Sequence, residues 1–118
     1  MATLLIVDDD NNIRETLHDL LCDSHECHTA DRAEQALAYL ELQTYDVVLT
    51  DIAMPYMDGP AMIRALRHIS PDVKVIAMSG LMNPEQTAEL ESLKVTSYLS
   101  KPFTADKLLT TLADVIVE

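Results

Sequence analysis

The amino-acid sequence predicts an α/β domain, a doubly wound sheet of five parallel strands with helices on both faces. Three observations carry that expectation. Short apolar runs alternate with amphipathic stretches five times along the 118 residues. The first, third and fourth runs are almost unbroken Val, Ile and Leu, as in parallel strands covered on both sides. The stretches between them repeat apolar residues at helical spacing, so each strand returns to the sheet through a right-handed helical crossover.

The apolar runs are Leu4 to Val7, Glu26 to Ala30, Asp46 to Thr50, Val73 to Met78 and Thr96 to Leu99. The second is the most polar and suits a sheet edge. Ile13, Leu17, Leu20 and Leu21 form the first helical stripe, with Asp10 or Asn11 placed to cap it. Ala33, Ala36, Leu37 and Leu40 form the second. Met62, Ile63 and Leu66 form the third, opened by Gly59-Pro60, where proline is tolerated in a first turn. Asn83-Pro84-Glu85 reads as cap, proline and acidic first turn of a fourth helix. Its apolar stripe is thin: Ala88, Leu90 and Leu93. Thr104 caps a last helix whose buried side is expected to include Leu108, Leu109, Leu112 and Ile116. These five units account for residues 1–118 as one domain, without linker, repeat or low-complexity segment.

Composition narrows the function. Hydrophobic residues make up 48% of the chain, enough for a core without disulfides or structural metal. Twenty Asp and Glu against 8 Lys and Arg give a net charge of -12. That balance opposes direct nucleic-acid binding, which needs clustered cations to displace counterions, and adsorption to anionic lipid. The first residues lack the basic start of a signal peptide, and no apolar run is long enough to span a bilayer. The cytoplasm is the expected compartment. Cys22, His25, Cys27 and His28 crowd one stretch, but their spacing matches no usual zinc pattern. They read as a helix end and an edge strand with Cys27 inside.

Open sheets of this kind bind ligands outside the carboxyl ends of their strands. Asp8, Asp9 and Asp10 follow the first strand and Asp51 the third. The fourth runs into Ser79-Gly80, and Lys101-Pro102 stands just past the fifth. Carboxylates packed this closely stay ionised only with a cation among them. An oxygen-rich site with few ligands and room for water suits Mg²⁺ or Mn²⁺. A carboxylate beside such an ion and a lysine can accept a phosphoryl group, because both cations offset the charge developing in transfer.

Four segments carry a family resemblance: Leu5-Ile6-Val7-Asp8-Asp9-Asp10, Asp46 through Gly59, Val75-Ile76-Ala77-Met78-Ser79-Gly80, and Tyr98-Leu99-Ser100-Lys101-Pro102-Phe103. In order and spacing they resemble the receiver domain of response regulators, over the whole chain. The resemblance implies the flavodoxin-like strand order 2-1-3-4-5. It implies Asp51 as phosphoacceptor, charged by a sensor histidine kinase or a histidine phosphotransfer protein. Asp8 and Asp9 would hold Mg²⁺ together with Asp51 and the main-chain carbonyl of Ala53. Ser79 and Lys101 would bind the phosphoryl group, and Tyr98 would turn inward as the switch. Lys101-Pro102 would be a cis peptide. The fourth helix, fifth strand and fifth helix would form the surface read by a downstream effector.

Two departures from the family pattern bear on this reading. Lys94 occupies a turn where Gly-Ala is usual, and lysine takes a positive φ less readily than glycine, so a differently shaped loop is expected there. Ala53 and Leu81, positions that tune loss of the phosphoryl group, are both apolar. Neither can orient an attacking water, which implies a long-lived phosphorylated state. An aspartate-nucleophile phosphatase would need an acid-base residue where Ala53 stands. A flavin-binding domain would need a hydroxyl- and glycine-rich phosphate loop where the three carboxylates stand.

Overall fold

The computed structural model describes residues 1–53, 59–80 and 84–117. Five strands alternate with five helices: β1 (Thr3–Val7), α1 (Asn11–Leu21), β2 (Glu26–Ala30), α2 (Ala33–Leu42), β3 (Val47–Asp51), α3 (Gly59–Ile69), β4 (Lys74–Ser79), α4 (Pro84–Ser92), β5 (Ser97–Ser100) and α5 (Ala105–Val117). All strand pairs are parallel and the sheet order is β2-β1-β3-β4-β5, as the resemblance implied. Strands β3, β4 and β5 each begin and end one residue later than the apolar pattern indicated. The ladder continues through Asp51 beside Met78 and Ser79 beside Ser100. Asp51 and Ser79 are therefore the last residues of their strands, held by sheet hydrogen bonds.

Alternation along the strands divides the interior into two cores. Leu5, Val7, Val48, Val75 and Ala77 pack toward α2, α3 and α4. Leu4, Ile6, Val47, Leu49, Ile76 and Met78 pack toward α1 and α5. Residues Leu4 to Val7 have no exposed surface, which explains why β1 reads as an unbroken apolar run. Each such leucine or isoleucine contributes roughly 1.5–3 kcal/mol by burial.

Helix α1 is capped by Asp10, whose carboxylate accepts from the Asn12 and Ile13 N–H groups. Leu17 and Leu21 are buried, whereas Leu20 faces outward. The expected face of α5 needs correction. Leu108, Thr111, Leu112 and Val115 are buried, while Leu109 and Ile116 are exposed. Spacing i, i+3, i+4, i+7 is the true helical stripe, and polar Thr111 concealed it in the sequence. The α4 stripe is thinner still: Leu90 is buried, Leu93 half-buried and Ala88 exposed. Asn83, expected to cap α4, lies outside the described residues. Thr104 caps α5, accepting from the Lys107 N–H at 3.1 Å.

The turn after α4 departs from expectation in an informative way. Lys94 does adopt the left-handed conformation, at φ 63°. The Val95 N–H reaches the Leu90 carbonyl and the Lys94 N–H that of Glu91, the paired bonds of a Schellman cap. Arg67 of α3 adds bonds to the Leu93 and Lys94 carbonyls at 3.0 and 2.8 Å. These interactions impose the glycine-like turn despite a side-chain penalty of roughly 1–2 kcal/mol. Lys94→Gly is expected to raise the unfolding free energy by about 0.5–1 kcal/mol, the strain relieved less the added chain entropy. Urea denaturation reads this, and a loss of stability would show that the lysine makes compensating contacts.

Candidate functional site

At the carboxyl edge of the sheet, β1 delivers Asp8 and Asp9 while its neighbour β3 delivers Asp51. Asp8 is fully buried, Asp51 is 5% exposed and Asp9 faces solvent. One carboxylate oxygen from each lies within 4.8 Å of the others. Lys101 enters from the far side, past β5. Its Nζ donates to Asp8 Oδ2 at 3.0 Å and to Asp51 Oδ2 at 2.9 Å. The Lys101 N–H also donates to the Ser79 carbonyl at 2.8 Å, and Lys101-Pro102 is a cis peptide. Ser79 is thereby tied by its main chain to the residue that bridges the two carboxylates.

The remaining carboxylate oxygens are held by main-chain donors. Asp8 Oδ1 accepts from the Asp10 N–H and Asp51 Oδ1 from the Ala53 N–H, at 2.9 and 2.8 Å. Arg14, which the sequence did not single out, donates to the Asp8 carbonyl at 2.8 Å and also bonds the Asn11 side chain. Its position one turn into α1 is the only signal the chain carried for it. Gly59 keeps the entry to α3 close to the site: a Cβ there would lie 2.4 Å from that of Ile52, just past Asp51.

Three carboxylates face one ammonium, so the cluster is short of positive charge. Burial pushes the Asp8 carboxyl above its ordinary value, against the Asp10 N–H and Lys101, with the Asp51 charge adding to the rise. Lys101 is raised as well: burial works against its charge, but the hydrogen bonds and charges of Asp51 and Asp8 outweigh it. The ammonium is a fixed cation at neutral pH. The donor set is all oxygen, with one solvent-facing member and an unbalanced negative charge, and it fits a hard divalent cation.

Tyr98 stands apart from this cluster, on β5 facing α4. Its ring packs against the core on the α2–α3–α4 side, and its hydroxyl is buried without a hydrogen-bond partner among the described residues. Burial and the nearby Glu91 carboxylate raise its pKa. Leu81 lies outside the described residues, while Ala53 is exposed beside Asp51. The Cys/His stretch forms no second centre. Among the described residues the aspartate trio alone has metal-ligand geometry, and the Cys27 thiol is pushed up to about 11 by burial and by Cys22. His25 accepts from the Ala2 N–H and His28 pairs with the Tyr45 hydroxyl, so the rings are tied to the segments that precede β1 and β3.

A groove of about 670 Å³ opens beside Lys101, lined by Ile13, Leu17 and Leu20 of α1 and by Pro102 and Phe103. No helix among the described residues is long and apolar enough to cross a membrane.

Residues 4–113 match the family model of the response regulator receiver domain. The chain belongs to that family. Among similar proteins, the response regulator protein FleR of Pseudomonas aeruginosa is 35% identical over 95% of this chain and 24% of its own length. The sensor kinase CckA of Brucella abortus is 32% identical over 98% of this chain and 12% of its own. Among solved structures, Vibrio cholerae chemotaxis protein CheY4 superposes with a TM-score of 0.92 at 32% identity, covering 98% of both chains. This receiver thus spans a quarter or less of the two longer relatives and nearly all of CheY4. Its function is that of a phosphoacceptor module in two-component signalling, a role found both in free-standing regulators and inside larger proteins.

Because its folded pKa is raised, Asp8 binds its proton more tightly in the folded receiver than in the unfolded chain. That contribution to stability is present below the unfolded value of 3.8 and is lost as pH rises through the folded one. In metal-free buffer at neutral pH, Asp8→Asn is therefore expected to unfold at higher denaturant than wild type, with a shallower decline of stability on raising pH. Added divalent cation should stabilise wild type and leave the variant nearly unchanged. A variant less stable than wild type in chelator would refute this electrostatic account.

Proposed function

We propose that Asp51 is the phosphoacceptor and that the chain, as a single receiver domain over residues 1–118, stores a signal there instead of turning over a substrate. The observation that carries this reading is the Lys101 ammonium bonded at once to Asp51 and Asp8 inside the aspartate trio. An Asp51 carboxylate oxygen attacks the phosphorus of a phosphohistidine on a sensor histidine kinase or histidine phosphotransfer protein. The O–P bond forms as the N–P bond breaks, and the imidazole leaves. Asp8, Asp9, Asp51 and the Ala53 carbonyl would hold Mg²⁺, with Mn²⁺ able to substitute. The ion would neutralise phosphoryl oxygens as charge builds on them. Lys101 moves from its carboxylate pair to the phosphoryl group, and the Ser79 hydroxyl donates to another of its oxygens.

The readout is assigned to α4, β5 and α5 around Tyr98, where a downstream effector binds. The net charge of -12 supports a protein partner over nucleic acid, and the setting is cytoplasmic. Ala53 presents only a methyl group beside Asp51, which favours slow loss of the phosphoryl group; Leu81 is assigned the same role. The apolar groove is assigned to the phosphodonor. It shares Lys101 with the site, so a helix seated on Leu20 and Phe103 brings its histidine to Asp51.

Two experiments test this reading. Intact mass after incubation with Mg²⁺ and acetyl phosphate should rise by one phosphoryl group in wild type and not in Asp51→Asn. Uptake by both would move the acceptor elsewhere. After donor removal, Ala53→Asn should lose the group faster than wild type. For the groove, Leu20→Glu should slow transfer from a phosphorylated histidine protein at least about tenfold, the effect of losing an interface anchor, with acetyl phosphate uptake unchanged. Equal slowing with both donors would place Leu20 in the chemistry or the fold and remove the docking role.

A further inference from the structure

We propose that Arg67 is the pivot of this receiver: it pins the C-terminal end of α4 to α3, so that α4 turns about that end when the site is phosphorylated. The inference rests on Asp51 being the acceptor and adds a direction of motion to that reading.

The observations begin with four main-chain carbonyls gathered by one guanidinium. Nε and one terminal nitrogen of Arg67 donate to Leu93 and Lys94 at the end of α4. The other terminal nitrogen donates to Pro71, at 3.1 Å, and to Val73, both in the turn between α3 and β4. A helix end leaves its last carbonyls without helical partners. Here the Schellman bonds satisfy Leu90 and Glu91, and Arg67 satisfies the Leu93 and Lys94 carbonyls that follow. The guanidinium is half-buried and burial works against its charge, with Asp72 opposing that effect. Its planar fork and permanent charge make the four bonds possible at once, a geometry lysine cannot reproduce.

The rest of α4 is held unevenly. Leu90 is fully buried and Leu93 half-buried near the pinned end, while at the other end Gln86 and Thr87 are half-buried and Pro84, Glu85 and Ala88 are exposed. Arg64 also reaches Glu89 at 3.0 Å, but both side chains are about half exposed, and such surface pairs contribute little. Beyond the pivot the chain is fixed again, because Thr96 donates its N–H to the Val75 carbonyl and accepts the Val75 N–H at its hydroxyl. The opposite end of α4 follows the strand that terminates in Ser79. A helix clamped at one end and connected at the other to the phosphoryl site can answer a pull there by turning. The residues farthest from the pin, Glu85 to Ala88, then move most relative to the fixed strand that carries Tyr98.

Amide exchange with beryllofluoride and Mg²⁺ as a phosphoryl mimic tests this. Protection of residues 85–88 should change by at least about tenfold, while that of Leu93 to Val95 stays within about twofold. In Arg67→Lys without mimic, Leu93 to Val95 should exchange about tenfold faster than in wild type, and adding mimic should spread the change along all of α4. Changes of equal size at both ends in wild type would overturn the pivot, as would unaltered exchange of Leu93 to Val95 in Arg67→Lys. The Ala53 amide, bonded to the Asp51 carboxylate, reports on the site itself. If Ala53 responds and the helix ends move together, the pivot alone fails; if Ala53 does not respond, the acceptor assignment fails with it.

Discussion

The structure depends on the bridge from one lysine ammonium to two carboxylates. Lys101 lies 93 residues from Asp8 and 50 from Asp51, and the run of parallel strands brings the three together. Strand β1 sits beside β3, which sets Asp8 next to Asp51. Lys101 must then cross the end of β4, and its main-chain bond to the Ser79 carbonyl marks that crossing. The order 2-1-3-4-5 is therefore more than a topology: it sets Asp8 beside Asp51 and brings Lys101 to them across the end of β4. The same bridge leaves the cluster short of positive charge, a deficit that suits a hard divalent cation.

Much of this was legible in the chain. Apolar runs marked the strands because those strands are covered on both faces, and the residues just after them were identifiable as candidates because the sheet's carboxyl edge is where chemistry collects. Asp10 was recognisable as a cap for a reason local to three residues. What stayed hidden depended on tertiary contacts. Thr111 is polar by composition yet buried, because the face of α5 is set by where the helix meets the sheet. Lys94 was expected to reshape its turn, since nothing nearby in sequence shows that Arg67, twenty-seven residues back, would hold the next carbonyl. Arg14 was silent for the same reason: its partner is a main-chain oxygen of Asp8, which no residue pattern displays.

The local penalties are concentrated where the receiver must respond. A buried hydroxyl without a partner costs roughly 1–3 kcal/mol, and that of Tyr98, on the strand facing α4, has none among the described residues. A carboxyl with a raised pKa sits at the centre of the trio, and a non-glycine residue in the left-handed region closes α4. Consistency between local preference and fold is the rule in stable domains, and departures gather at functional positions. Here they flank a helix with a single fully buried side chain, Leu90, which anchors α4 far less than the strands beneath it are anchored.

The two cores give this asymmetry a spatial meaning. The groove assigned to the donor is lined by Ile13, Leu17 and Phe103, which belong to the α1–α5 core. Tyr98, Leu90 and Leu93 belong to the opposite core, across the sheet. Side chains within a strand alternate between these layers, as Ala77 and Met78 do on β4, so neither layer reaches the other through the interior. Only at the strand ends does one residue have access to both. Asp51 and Ser79 are the terminal residues of β3 and β4, and Lys101 follows β5. If Asp51 is the acceptor, a charge added there would draw on groups that close the top of both layers, so a partner acting on one face would change the other without disturbing the sheet between them.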